Sequence, residues 1–245
     1  MEQPATSRRV HWIDQDVLAF DLETTGVDPH RDVPVAYALV GARGGRILSC
    51  DSSIVDPGCD VPPAATAVHG ITTERARSEG VPLREAVVDI AARVLDASRR
   101  GIPILGMKVD YDLTMLDACY LRETGFRLSD EGFRGPVVDV LVLDRHFDRF
   151  RRGRRTLAHL CREYGASIER PHDAAADAVA AISVAVEMCG RFAGLRSALP
   201  ESLHRLQVDW HRDWVDSFSE WRQRQGLARL QESERCWPIA PALAI

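Results

Sequence analysis

The stretch that most constrains this chain is VLAFDLETTG, residues 17–26. It is a short apolar run that ends by placing two carboxylates, Asp21 and Glu23, ahead of a Thr-Thr-Gly turn. The run reads as a buried strand. Residues two apart in a strand point to the same side, so the two acids share one face. A buried carboxylate costs several kcal/mol unless it is paired or ligated. No Lys or Arg adjoins them. Hard divalent cations such as Mg²⁺ and Mn²⁺ prefer carboxylate oxygens, so a cation is the simplest answer to the cost.

Such a site needs further ligands from other parts of the chain. GMKVDYDLTML, at 106–116, places Asp112, with Asp110 close by, between a predicted strand (PILGM) and a helix. RPHDAAADAVAA, at 170–181, places His172 and Asp177 at the start of a long Ala-rich helix. Their spacing of about one and a half turns lets them flank one site without sharing a stripe. A histidine beside a carboxylate cluster suits a general base acting on water. Ordinary readings exist for each. Asp112 is also an acid at a helix N-terminus, where the macrodipole favours it, and Asp110 could be the ligand in its place. Asp173 reads as a capping or dipole residue, and Asp139, in VVDVLVLD, as a structural one.

The remaining pattern frames these motifs. DVPVAYALV and GGRILSCDSSIV, joined by GARGG, predict an antiparallel hairpin. Residues 56–70 read as Pro/Gly-rich loop with one short helical turn. Helical spacing follows in PLREAVVDIAARVLDAS, DYDLTMLDACYLRETG, TLAHLCREYG and HDAAADAVAAISVAVEMCGRF. Thr156 is the candidate N-cap of the third of these, and Gly165 its stop. GPVVDVLVLDRHF starts as a strand and turns helical. Three leading strands followed by alternating helices and strands predict an α/β fold with a mixed sheet.

FDLETTG, YDLTML and HDAAAD together resemble the three motifs of the DEDD 3′–5′ exonucleases, in the DEDDh branch that carries a histidine. The resemblance is greatest to the epsilon (proofreading) subunit of bacterial DNA polymerase III and its stand-alone relatives, over residues 16–192. VHGIT at 68–72 is similar to the family segment that approaches the terminal nucleotide. The resemblance implies a ribonuclease H-like fold, a five-stranded mixed sheet flanked by helices. It implies that Asp21, Glu23, Asp112 and Asp177 hold two divalent ions (Mg²⁺ or Mn²⁺) and that His172 is the general base. It places Thr24, Thr25 and His69 near the terminal nucleotide. The implied activity removes nucleoside 5′-monophosphates from single-stranded or frayed 3′ ends of DNA. An exoribonuclease of the same family is the alternative, and a catalytically silent nucleic-acid-binding module a more distant one. The chain departs from the family at Met107-Lys108, where His-Asn is frequent. Lys108, the sole lysine, is a candidate substrate-binding residue or a solvated one.

The domain reading is a flexible N-terminus (1–15), an exonuclease domain (16–195) and a C-terminal Trp-rich helix and tail (196–245). In that helix, at about 201–225, Leu203, Leu206, Trp210, Trp214, Phe218 and Trp221 step by three or four as one apolar stripe. The stripe packs on its own domain or offers a surface to a second copy or a polymerase partner. RHFDRFRRGRR, at 145–155, is either a solvated charge run or a patch that tracks phosphates. A net charge of −5 excludes a uniformly basic binder while permitting such a local patch. No apolar run approaches the length of a membrane span, and the N-terminus lacks a secretory apolar region. The six scattered cysteines read as reduced thiols of a cytoplasmic protein.

Overall fold

The computed structural model describes residues 11–241. β1 (Asp16–Thr24), β2 (Pro34–Arg43) and β3 (Arg46–Asp56) form an antiparallel meander. α1 (Pro63–His69) falls in the 56–70 segment expected to be loop with one short helical turn, and α2 (Thr73–Glu79) follows it. β4 (Val81–Pro82) leads into α3 (Leu83–Arg99), and β5 (Ile104–Gly106) into α4 (Val109–Thr124). β6 (Val137–Asp139) continues directly into α5 (Val140–Phe147), followed by α6 (Leu157–Tyr164), α7 (Ala174–Arg191), α8 (Ala193–Ser197) and α9 (Pro200–Arg224). The sheet order is β4-β3-β2-β1-β5-β6, with β5 parallel to β1 and β6 parallel to β5. The mixed α/β fold is as expected. The sheet has six strands where five were expected, because Val81–Pro82 pairs with the end of β3 as a two-residue edge.

The sheet separates two cores. Val17 and Ala19 of β1 face the layer that contains α6 and α7, while Phe20 and Leu22 face α3 and α4. This alternation turns Asp21 and Glu23 toward α7, where the chain crosses β1 and β2. Gly106 lets α4 begin close to β1. A Cβ there would stand 2.9 Å from the Phe20 carbonyl oxygen and 2.8 Å from the Val109 Cβ.

The described residues on either side of the domain pack against it. Residues 1–10 of the stretch expected to be flexible lie outside the described residues. Beyond them, Trp12 and Ile13 are buried, and Trp12 Nε1 donates to the Leu195 carbonyl at 3.1 Å. The tail returns to α4: Trp237 is buried in its core, and the Ala240 N–H donates to Thr114 Oγ1 at 3.0 Å.

α9 docks differently from the expected stripe. Its buried residues are Leu203, Gln207, His211, Val215 and Ser219, while Leu206 and Trp221 are 44% and 46% exposed. The reason is the open edge of β6, whose N–H and C=O groups need partners. Gln207 supplies both: Nε2 donates to the Val137 carbonyl at 3.0 Å, and Oε1 accepts the Asp139 N–H at 2.8 Å. The aromatic residues are displaced sideways onto α5, with His146 stacked on Trp210 at 3.7 Å and the Arg145 guanidinium on Trp214 at 3.3 Å.

Candidate active site

β1 ends beside α7, so Asp21, Glu23 and Asp177 each bring a ligand oxygen to one point, all within 4.8 Å of one another. A register shift between Glu23 and Thr24 marks the strand end, a bulge of the kind that re-aims side chains. Asp177 lies in the first turn of α7, and its Oδ1 is buried with no hydrogen-bond partner. Asp112 stands just behind this cluster. It is 5% exposed, and its Oδ1 accepts the Leu22 N–H at 3.2 Å.

The electrostatics are those of carboxylates crowded without enough positive charge. Burial pushes the Asp21 pKa well above the ordinary carboxylate range, and Asp112, Asp177 and Glu23 push it further. Glu23 is raised to about 7, first by burial and then by Asp177 and Asp173. Asp177 is raised to about 6 by burial, with the His172 backbone and ring opposing. Asp112 is raised by burial and by Asp110, against the Leu22 N–H. A divalent cation would relieve this repulsion. The all-carboxylate donor set and the orphaned Asp177 oxygen both fit Mg²⁺ or Mn²⁺.

The two helices that carry Asp112 and Asp177 start in a matched way. Lys108 and His172, with φ of 62° and 65°, are the non-glycine residues with positive φ among the described residues. Each sits just ahead of a site-bearing helix. Such conformations cost about 1–3 kcal/mol and persist where the surroundings enforce them. At Lys108 the enforcing group is Asp139, which accepts the N–H groups of Lys108, Val109 and Leu141 at 3.0, 3.1 and 2.8 Å. At α7 the cap is Asp173, whose Oδ1 accepts the Ala176 N–H at 3.1 Å.

His172 is exposed and lines a cavity of about 280 Å³ together with Glu23, His69 and Arg75. His69 Nδ1 accepts the Ile71 N–H at 3.1 Å, so the proton of the neutral ring resides on Nε2, which is buried beside the Thr24 backbone. The two threonines are not free hydroxyls. Thr24 Oγ1 donates to the Gly26 carbonyl at 2.7 Å and lies 3.1 Å from the Tyr111 hydroxyl. Thr25 Oγ1 donates to Asp32 at 2.9 Å and accepts the Val33 N–H at 3.1 Å. Lys108 Nζ lies 5.0 Å from the Tyr111 ring centre, and its charge acts on the Asp112 and Asp110 carboxyls.

Half of the arginines in the Arg145–Arg155 run are committed inward. Asp144, wholly buried, pairs with Arg151 at 2.8 Å and with Arg155. Arg149, Arg152 and Arg154 remain exposed. Asp173 takes the capping position read for it, while Tyr111, which also shapes the site, had only an indirect signal. That signal is its place as the aromatic beside Asp112.

A model of the exonuclease family RNase_T matches residues 18–185. The chain is 24% identical over 203 residues to a PolC-type DNA polymerase III of Pediococcus pentosaceus, covering 83% of this chain and 13% of that protein. It is 31% identical over 135 residues to a DNA polymerase III subunit epsilon-like protein of Rhodobacter capsulatus, covering 51% of this chain and 17% of that one. Among solved structures, E. coli exonuclease I in complex with a dA16 oligonucleotide superposes with a TM-score of 0.65 at 21% identity, over 81% of this chain and 44% of that one. The chain thus spans a small fraction of its polymerase relatives and under half of exonuclease I. The fold is shared with exonuclease I, and the carboxylate cluster lies at the end of its central strand β1. The chain belongs to the exonuclease family.

Proposed function

We propose that the protein is a DEDDh-type, metal-dependent 3′–5′ exonuclease that acts on DNA and releases nucleoside 5′-monophosphates, in proofreading, repair or end trimming in the cytoplasm. The observation that carries this reading is the convergence of Asp21, Glu23 and Asp177 within 4.8 Å, with Asp112 behind them and His172 at the rim. Asp21, Glu23, Asp112 and Asp177 would hold two Mg²⁺ or Mn²⁺ ions, which when bound supply positive charge to the attacking and leaving oxygens of a phosphodiester.

The chain's own residues provide the rest. His172 accepts a proton from the attacking water as general base. Its left-handed turn and the Asp173 cap fix where the ring stands relative to Asp177. His69, its Nε2–H beside the Thr24 backbone, borders the place of the terminal nucleotide. Thr24 and Thr25, whose hydroxyls are spent inside the turn, act through the shape of the backbone beside Glu23. The names of the polymerase III relatives favour DNA over RNA. A second copy or a polymerase would dock on the exposed apolar residues of α9, Leu206 and Trp221; light scattering that gives a monomer at high concentration rules out the homodimer.

The test is incubation with Mg²⁺ or Mn²⁺ and 5′-labelled single-stranded DNA and RNA of one sequence. A ladder shortening from the 3′ end of DNA, abolished by EDTA and by Asp21→Ala, is expected. Intact substrates under every metal condition refute the reading.

A further inference from the structure

The loop that joins α5 to α6 is built in two layers. Beneath it lie Arg151 and Arg155, both pinned on the buried Asp144. Arg155 also donates to the Asp148, Arg149 and Arg151 carbonyls at 2.8, 3.3 and 3.2 Å, and Arg151 to the Arg154 carbonyl at 3.3 Å. The chain is thus wrapped around two guanidinium groups that fix its backbone. The Arg151 N–H closes a turn on the Asp148 carbonyl at 3.1 Å and leaves Phe150 at the tip. Phe150 is 90% exposed, and Arg149, Arg152 and Arg154 stand exposed on the same loop. The one acid of the loop, Asp148, is turned to Arg151 at 3.8 Å.

A loop held from beneath in this way has no need of an exposed phenyl ring for its own stability. In a chain of net charge −5, the three exposed arginines around that ring form a local exception. A ring among guanidinium groups suits a polymer that carries flat apolar groups on an anionic backbone. Phosphates meet the arginines, and bases stack on the phenyl face. In a duplex the base faces are covered by their neighbours, so only a single strand makes use of the ring.

The loop is joined to the carboxylate site by a continuous surface. Two neighbouring hollows share Arg145 and Trp214; one is lined by Lys108 and Tyr111, the other by Arg149. The Tyr111 hydroxyl in turn lies 3.1 Å from Thr24 Oγ1, next to Glu23. On the α9 side the second hollow carries Asp213, Asp216 and Glu220, which repel phosphates toward the arginines of the loop. α5 alone rises about 12 Å over its 8 residues, so the loop stands several nucleotides away from the carboxylates.

We propose that the 148–154 loop is a capture arm for single-stranded nucleic acid: Phe150 stacks on a base upstream of the 3′ end, while Arg149, Arg152 and Arg154 hold the neighbouring phosphates. Delivery of that strand to the carboxylates rests on the exonuclease reading.

Fluorescence anisotropy in EDTA and low salt tests it, with single-stranded DNA of about four to about sixteen nucleotides. On the longest strands Phe150→Leu should bind about tenfold more weakly than wild type, the scale of one stacked base, and Phe150→Tyr should restore the affinity. The difference should fade as the strand becomes too short to reach from the carboxylates to the loop. The salt slope of Phe150→Leu should equal that of wild type, because no phosphate contact is lost. Equal affinities of Phe150→Leu and wild type at every length overturn the arm, as do a loss shared by Phe150→Tyr and a wild type that binds no oligonucleotide. Phosphatidylserine vesicles that bind wild type and not Phe150→Leu, with equal DNA affinities, would assign the loop to an anionic membrane and also overturn it. Any of these results beside cleavage from the 3′ end removes this inference alone. A length-dependent loss in Phe150→Leu, without cleavage in Mg²⁺ or Mn²⁺, removes the exonuclease reading and leaves the arm.

Discussion

Glu23→Gln separates a carboxylate kept for a cation from one kept for structure. In the metal-free protein, burial and the nearby Asp177 and Asp173 raise the Glu23 pKa from 4.5 to about 7. A group bound to its proton more tightly in the folded state than in the unfolded one contributes stability at low pH and loses it as pH rises. The loss for Glu23 therefore runs from pH 4.5 to about 7. At about 1.36 kcal/mol per pH unit it amounts to roughly 3 kcal/mol, reduced to about 2 by solvent at the cavity mouth. For a chain of this size that is a fall in Tm of roughly 4–8 °C. Asp177, raised from 3.8 to about 6, adds a loss of the same sign. Thermal unfolding followed by circular dichroism in EDTA should show Glu23→Gln matching wild type near pH 4.5 and exceeding it by roughly 4–8 °C near pH 8. Adding Mn²⁺ should raise the wild-type Tm and leave the variant nearly unmoved. A variant less stable than wild type by the same amount at both pH values refutes the reasoning, because it would mean that Glu23 has a structural partner.

Gln207→Leu should strand the Val137 carbonyl and the Asp139 N–H, at about 1–3 kcal/mol each, and lower the Tm in any buffer. Lys108→Asn places a residue tolerant of positive φ at 62° and should raise the Tm slightly, by less than about 1 kcal/mol; a fall would show that Lys108 is held by its side-chain packing rather than strained. Asp144→Asn should cost about 3–5 kcal/mol in urea unfolding by leaving Arg151 and Arg155 without their buried anion. Replacing Arg149, Arg152 and Arg154 with Ala should weaken DNA binding and reduce its salt slope by about 0.7 for each phosphate left without a neutralising arginine; an unchanged slope would show that these side chains touch only solvent.

The clustering of Asp21, Glu23 and Asp177 follows from local geometry that the sequence already shows. A strand brings residues two apart to one face, and a helix start presents its first acid at a fixed place. Those rules hold whatever surrounds them, so they also carried the α/β order, the β2–β3 hairpin, the Gly165 stop of α6 and the Asp173 cap of α7, whereas Thr156 at the start of α6 turns its hydroxyl to His159 instead of capping the backbone. Tertiary structure decided which surfaces meet. The aromatic stripe of α9 looked like the docking face until the unpaired edge of β6 selected Gln207, whose partners lie 68 and 70 residues away in the chain. The arginine run looked free until Asp144 turned out to be buried between two of its members. Lys108 looked like an oddity of charge, whereas its position is set by a backbone turn that Asp139 holds from another strand. Each of these outcomes depends on a hydrogen-bonding or charged group that must find its partner across the fold. Sequence pattern records that such a group exists, and only packing determines what it meets.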